Sequence, residues 1–266
     1  MANDDYIKDQ YYEYRGLIAQ SWDLLRGDTS NWDDRFFYKE VVRRTGDPVL
    51  DVGCGTGRLL LDFMADGVDI DGVDNSPEML ALLREKAEGL GLQPNVYQQT
   101  MEALALPRKY RTIIVPSSSF QLVISPEDAG EAMRRFHAHL LSGGTLAMPF
   151  MILWSEASGH NTTWDWHNSG EAVRPDGLTV RRWSRSTFDT LEKLEHTEDR
   201  FELLRDGEVI DTENHVRSPG VRWYTQEEAV ALYREAGFEE VQMYKHFTWE
   251  PASPEDNIFV LSGHKP

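Results

Sequence analysis

Two acids and three glycines carry the clearest chemistry in this chain: Asp51, Gly53, Gly55, Gly57 and, 21 residues beyond Gly53, Asp74. Val49-Leu50-Asp51-Val52 reads as a short buried strand. Gly53-Cys54-Gly55-Thr56-Gly57 reads as a tight loop, and Leu59-Leu60-Leu61 with Phe63-Met64 as a following helix. A strand that passes through glycines into a helix brings backbone N–H groups and a positive dipole end against a ligand. That suits a carboxylate such as that of an amino-acid moiety. The spacing is G-x-G-x-G, whereas a dinucleotide fingerprint needs its third glycine one place later, where Arg58 stands. A nicotinamide or flavin cofactor is therefore disfavoured. Asp74 ends a second strand, Val68–Asp74, where an acid can accept hydrogen bonds from both hydroxyls of a ribose. Asn75 and Met79 follow it and could pack on the base.

The elements that must position these residues alternate between strand and helix from 48 to 150. Strands are expected at Val96-Tyr97, Ile113–Val115 and Thr145–Met148, with helices opened by Ser76-Pro77-Glu78 and Ser125-Pro126-Glu127. The second helix is expected to run to Leu141–Gly144. Alternation of this kind predicts a parallel sheet with helices on both faces. Two aromatic-rich helices precede it, residues 6–26 and from Asn31 to Gly46. Tyr14, Trp22 and Phe37 on them could form a lid, since aromatic faces attract a cation. From 151 to 177 a tryptophan-rich loop is expected. Three polar antiparallel strands follow at 178–189, 194–205 and 208–217, with Asp206-Gly207 as a hairpin turn. A capping box at Thr225–Glu228 opens a last helix, and Phe238–His246 and Asn257–Gly263 complete the sheet.

The fold class is thus α/β: a Rossmann-like, seven-stranded doubly wound sheet with N-terminal lid helices and a small antiparallel β insertion. The domain division is 1–46 for the lid, 47–150 with 218–266 for the sheet, and 151–217 for the insertion. The chain has 266 residues, a net charge of −18 and a single cysteine. That charge repels a phosphate backbone, which argues against nucleic acid as a partner. No window is apolar enough to span a membrane, and the first residues lack a signal-peptide pattern. One cysteine permits no intrachain disulfide and fits the cytoplasm. The inserted strands could pair across a two-fold axis in a homodimer.

Val49–Gly57, Val68–Leu80 and His139–Gly144 resemble successive motifs of the class I S-adenosylmethionine (SAM) methyltransferases. Arg222–Thr225 and Glu235–Phe238 are similar to the small-molecule branch, which includes sugar-amine N-methyltransferases and related natural-product enzymes. The resemblance implies methyl transfer from SAM, with S-adenosyl-L-homocysteine (SAH) as product, to an N or O atom of a small molecule. The other readings are a non-catalytic SAM- or nucleoside-binding module and a nucleotide-dependent oxidoreductase of similar fold. In that branch Gly-Asp usually precedes the methionine corresponding to Met101; here Gln99-Thr100 stands instead. Adenine recognition is then expected from Thr100, from packing of Met101 and from the backbone around Glu102.

Methyl transfer is an in-line displacement, so the protein must mainly align the nucleophile and exclude water. Pro116, Ser117, Ser118, Phe120 and Gln121, beyond the fourth strand, would face the sulfonium. A base is needed only for a protonated nucleophile. His167, His246 and Gln121 are the candidates for the reacting end. Trp154, Trp164, Trp166 and Tyr224 would wall a flat or cationic acceptor. A metal held by His160, Asp165 and His167 is disfavoured, because these residues lack helical ligand spacing.

Overall fold

The computed structural model describes residues 14–152 and 162–266. Four consecutive buried residues make β1 (Val49–Val52), apolar but for Asp51, as a strand of a sheet covered on both faces requires. It pairs in parallel with β2 (Ile70–Asp74) on one side and β4 (Tyr110–Ile114) on the other. β3 (Asn95–Gln98) lies outside β2, and β5 (Leu140–Met151) outside β4. With β10 (Glu239–Lys245) and β11 (Ile258–His264) the order is β10-β11-β5-β4-β1-β2-β3, seven strands with β11 antiparallel to both neighbours. The Rossmann-like seven-stranded sheet expected from the sequence is what forms. Its strand order reverses between β1 and β4, and ligands of such sheets bind outside the carboxyl ends at that point.

Among the described residues there are six α-helices, of which the first packs on the second sheet: α1 (Gly16–Arg26), α2 (Asp33–Thr45), α3 (Arg58–Ala65), α4 (Pro77–Gly89), α5 (Pro126–His139) and α6 (Gln226–Glu235). Their starts follow the local chemistry. The Ser76 hydroxyl accepts from Met79 N–H at 3.1 Å, and Thr225 with Glu228 forms the reciprocal capping box. One core cluster, around Leu50, Ile113, Phe120, Phe136, Phe150 and Phe259, fills one face of the sheet. The other, around Phe37, Tyr38, Leu60, Phe63 and Val260, joins α2 and α3 to the opposite face.

A second sheet has four strands, not three: β6 (Thr162–Val173), β7 (Thr179–Asp189), β8 (Leu194–Arg205) and β9 (Glu208–Arg222), in that order and antiparallel. β6 occupies part of the stretch expected to be a loop. Most of its described residues are exposed and show no apolar alternation, so the usual strand signal is absent. Its ladder with β7 supplies the order instead. β9 runs five residues past 217 into the main sheet's surroundings. α5 stops at His139 and β5 begins at once, earlier than expected, where Gly143 takes φ +71°. Asp206 and Gly207 both have positive φ, as a two-residue hairpin turn needs.

Gln121 ties the second sheet to the first. Its carboxamide accepts from Met151 N–H at 2.8 Å and donates to Met151 O at 2.9 Å and Arg222 O at 3.1 Å. Those are the strand ends through which the chain leaves and rejoins the main sheet. The side chain is fully buried and its bonds are all to backbone, which corrects its expected catalytic role: it is a structural clamp. Gln121→Leu leaves three buried backbone groups unpaired, and the expected cost is about 2–4 kcal/mol. Thermal unfolding should register this as a fall in Tm of roughly 5–10 °C.

Candidate functional site

A cleft of about 740 Å³ opens over the carboxyl ends of β1, β2 and β4. The glycine loop forms its floor. Gly53 has φ +71°, and a Cβ there would stand 2.8 Å from Ser119 Cβ and Oγ. Gly57 has φ +84°, caps α3 and faces Leu61 and Leu83 rather than the cleft, so its part is to shape the loop. Cys54 and Gly55 line the cleft with Gly53.

Two carboxylates mark the floor. Asp74 accepts from Gly55 N–H at 2.8 Å through Oδ2 and from Ser76 N–H at 2.9 Å through Oδ1. Each oxygen keeps a further lone pair. Burial raises the Asp74 pKa, against the opposing backbone N–H bonds. Asp51 is buried, and its Oδ1 has no hydrogen-bond partner. Burial pushes its pKa up to about 7, while Arg58 pulls the other way. An orphaned acceptor at the wall of a cleft needs a donor from a ligand.

Arg26 also lines the cleft, and the sequence reading missed it. Its guanidinium lies 5.0 Å from the Trp22 ring and 4.8 Å from the Trp32 ring. Burial lowers its pKa, and the neighbouring Arg58 adds to this. Arg58 is neutralised by a two-pronged pair with Asp34, but no carboxylate is paired with Arg26 among the described residues. The signal was available, since Trp22 and Arg26 are an i, i+4 pair on one helix face.

α1 is latched over this floor. Thr56 Oγ1 donates to Asp23 Oδ1 at 2.6 Å, and Lys86 pairs with Asp23 and donates to Thr56 O. Gly16 N–H donates to Glu78 at 2.7 Å and Leu17 N–H to Glu213 at 2.6 Å. Tyr14 and Trp22, in edge contact at 4.7 Å, thereby face the cleft.

Asn75, Met79, Thr100, Met101 and Glu102 line the side beside Asp74, and Pro116, Ser117 and Ser118 the side beside β4. Leu122–Pro126, Pro219 and Arg222 complete the wall. The residues present fit the SAM that the sequence resemblance implies. Asp51 Oδ1 offers an acceptor for an ammonium, Arg26 a cation for a carboxylate, and Asp74 two acceptors for a diol.

Other expected site residues are not brought to the cleft. Phe37 is buried and stacked on Trp249 at 4.8 Å, because α2 packs it against the segment after β10. Phe120 and Tyr224 pack on each other at 6.0 Å and on Phe150, drawn into the core by their size. Burial pushes the Tyr224 phenol up to about 12, so it keeps its proton at neutral pH. His246 is half-exposed beyond β10, 4.0 Å from Asp33. His167 sits on the exposed edge strand β6, its Nδ1 against Asp165 O at 3.1 Å. On the same strand Trp164 makes an edge contact with Phe188, and Trp166 lies over Arg185 and Arg200. Trp154 and His160 lie outside the described residues.

Residues 49–144 match the methyltransferase domain family. The chain is 29% identical over 196 residues to dTDP-3-amino-3,4,6-trideoxy-alpha-D-glucopyranose N,N-dimethyltransferase of Streptomyces venezuelae, covering 72% of this chain and 71% of that protein. It is 25% identical to dTDP-3-amino-3,6-dideoxy-alpha-D-glucopyranose N,N-dimethyltransferase of Streptomyces fradiae, covering 89% of each. A SAM-dependent methyltransferase from Clostridium acetobutylicum has the same fold, with a TM-score of 0.71 at 20% identity over 90% of this chain and 92% of that one. No helix among the described residues is long and apolar enough to cross a membrane. With glycine loop, paired carboxylates and sheet order in agreement, the chain is a class I SAM-dependent methyltransferase.

Proposed function

We propose that the chain methylates an amine of a small, sugar-like acceptor, with SAM lying across the cleft from Arg26 to Met101. The observation that carries the cofactor's placement is the unpaired Asp51 Oδ1 beside a cleft that Asp74 also lines. SAM supplies a methyl group already activated on a sulfonium. In this reading Arg26 and the N-terminal end of α3 hold its carboxylate, Asp51 its ammonium, and Asp74 both ribose hydroxyls. Met79 and Met101 pack on the adenine. Tyr14 and Trp22 cover the cationic end and exclude water. Ser117 and Ser118 stand where the acceptor would approach, and His167 and His246 are too far out to be assigned a proton-transfer role. An amine that arrives neutral needs no base.

The sugar-amine acceptor is supported by the names of the two Streptomyces relatives, and by a polar second sheet clamped beside the open side of the cleft. Of the lid expected over residues 1–46, α1 is the part that covers the cleft in this reading, the enzyme works in the cytoplasm, and a second copy pairs through the inserted sheet. The test is SAM consumption against a panel of amino sugars, free and nucleotide-linked, with phenols and simple amines alongside. Turnover confined to phenols would overturn the amine assignment.

A pH dependence follows from Asp51. Its pKa of about 7 in the free protein lies above the ordinary 3.8, and a bound ammonium favours the carboxylate. Binding therefore releases a proton below pH 7, and affinity falls as pH drops through 7. Calorimetry should show SAM affinity roughly tenfold lower at pH 6 than at pH 8. Heats in two buffers of different ionisation enthalpy should show the proton leaving. A flat profile would contradict the assignment.

A further inference from the structure

The segment Gln99–Leu106 joins β3 to the approach of β4 and carries Gln99 itself, Thr100, Met101 and Glu102 to the lining of the cleft beside Asp74. Its shape is fixed by two side chains. Gln99 folds back across the loop: its Oε1 accepts from Ala105 N–H at 2.7 Å, and its Nε2 donates to Ala105 O at 3.2 Å. A carboxamide thus pairs with a peptide as a second backbone strand would. The Gln99 N–H meanwhile donates to Asp74 O at 3.2 Å, which ties the loop to the strand end that bears the acid.

The other side chain is His139, at the last turn of α5. Leu106 N–H donates to its Nε2 at 3.0 Å, and its Nδ1 lies 2.8 Å from Arg135 O. A carbonyl on one side and an N–H on the other leave a single arrangement: Nδ1 donates and Nε2 accepts. The ring is locked to its own helix and presents one acceptor to the loop. Leu104, fully buried in the main core, anchors the loop between these two braces. Closed loops of this size, packed by their own side chains, are frequent carriers of binding residues.

We propose that His139 and Gln99 are positioning residues for adenine recognition. They hold the loop preformed, so that Met101 and the backbone around Glu102 meet the base without being ordered by it. His139 does not line the cleft, and its effect passes through Leu106. Preorganisation of this kind raises affinity by removing the cost of ordering a loop on binding. This inference rests on the placement of SAM given above.

The test is calorimetric titration of the full chain with SAH and, separately, with adenosine, which has no methionine end. His139→Leu should weaken both ligands by a similar factor, about tenfold, because one partly buried N–H loses its acceptor and the loop its brace. His139→Gln can still offer an oxygen to Leu106 and should stay within about threefold of the parent for both. Gln99→Leu, at the opposite brace, should repeat the leucine result and serves if His139→Leu fails to fold. The inference is overturned if leucine variants bind both ligands as the parent does. It is equally overturned if they lose SAH but not adenosine, or if His139→Gln loses as much as His139→Leu. A parent protein that binds neither ligand overturns the cofactor placement itself, and this inference with it.

Discussion

Asp74→Ala should weaken SAM binding by tenfold at least and by about a hundredfold if both ribose hydroxyls are held. Each hydrogen bond to a carboxylate contributes about 1.5–3 kcal/mol, and a decade of affinity is about 1.4 kcal/mol. The substitution also strips Gly55 and Ser76 N–H of their acceptor. Part of the loss would then come from a loosened glycine loop. Asp74→Asn separates the two effects. Its amide oxygen can still accept one N–H, while its NH₂ opposes a hydroxyl donor. An asparagine variant that binds as poorly as alanine puts the loss at the ribose. Calorimetry reads both, and unchanged affinity for Asp74→Ala would refute the assignment.

The second large effect is expected at Asp51. Asp51→Asn keeps the shape but removes the charge that would meet an ammonium. The expected loss of SAM affinity is about tenfold to a hundredfold at pH 8, where the carboxylate is ionised. The same change should not lower the stability of the free protein. The folded pKa of about 7 lies above the unfolded value, so folding disfavours the charged form. That penalty is absent below the unfolded pKa, grows as pH rises towards 7, and is full above it. At pH 8 the asparagine variant should therefore melt no lower than the parent while binding SAM far less well. It should also lose the pH dependence of binding. A variant that loses stability and binding together would point to a structural aspartate.

The cofactor half of this molecule was legible because its chemistry is local. Asp51, three glycines and Asp74 each sit where a strand ends, and period and turn signals locate strand ends well. The residues missed there, Arg26 and Thr56, are tied to the site by packing of α1, which no motif announces. The other half was read less well, for a common reason. Phe120 and Gln121 lie between the cleft residues Ser119 and Leu122, and Tyr224 lies two residues beyond Arg222, but all three side chains are buried in the core rather than in the cleft. Phe37 looked like part of a lid because an aromatic stripe on a helix reads the same whether it faces ligand or core. β6 reads as a loop in the sequence, since an exposed edge strand rich in polar residues and tryptophan has no one-sided apolar pattern. Its order comes from pairing with β7, a contact beyond any local window.

The central claim is that SAM lies across the cleft with its ribose on Asp74 and its amino group on Asp51. A crystal structure of the SAH complex tests it most directly. The account predicts Asp74 oxygens within about 2.6–3.0 Å of both ribose hydroxyls, and Asp51 Oδ1 at similar distance from the amino nitrogen. A nucleoside bound elsewhere, or one whose ribose turns away from Asp74, would contradict it.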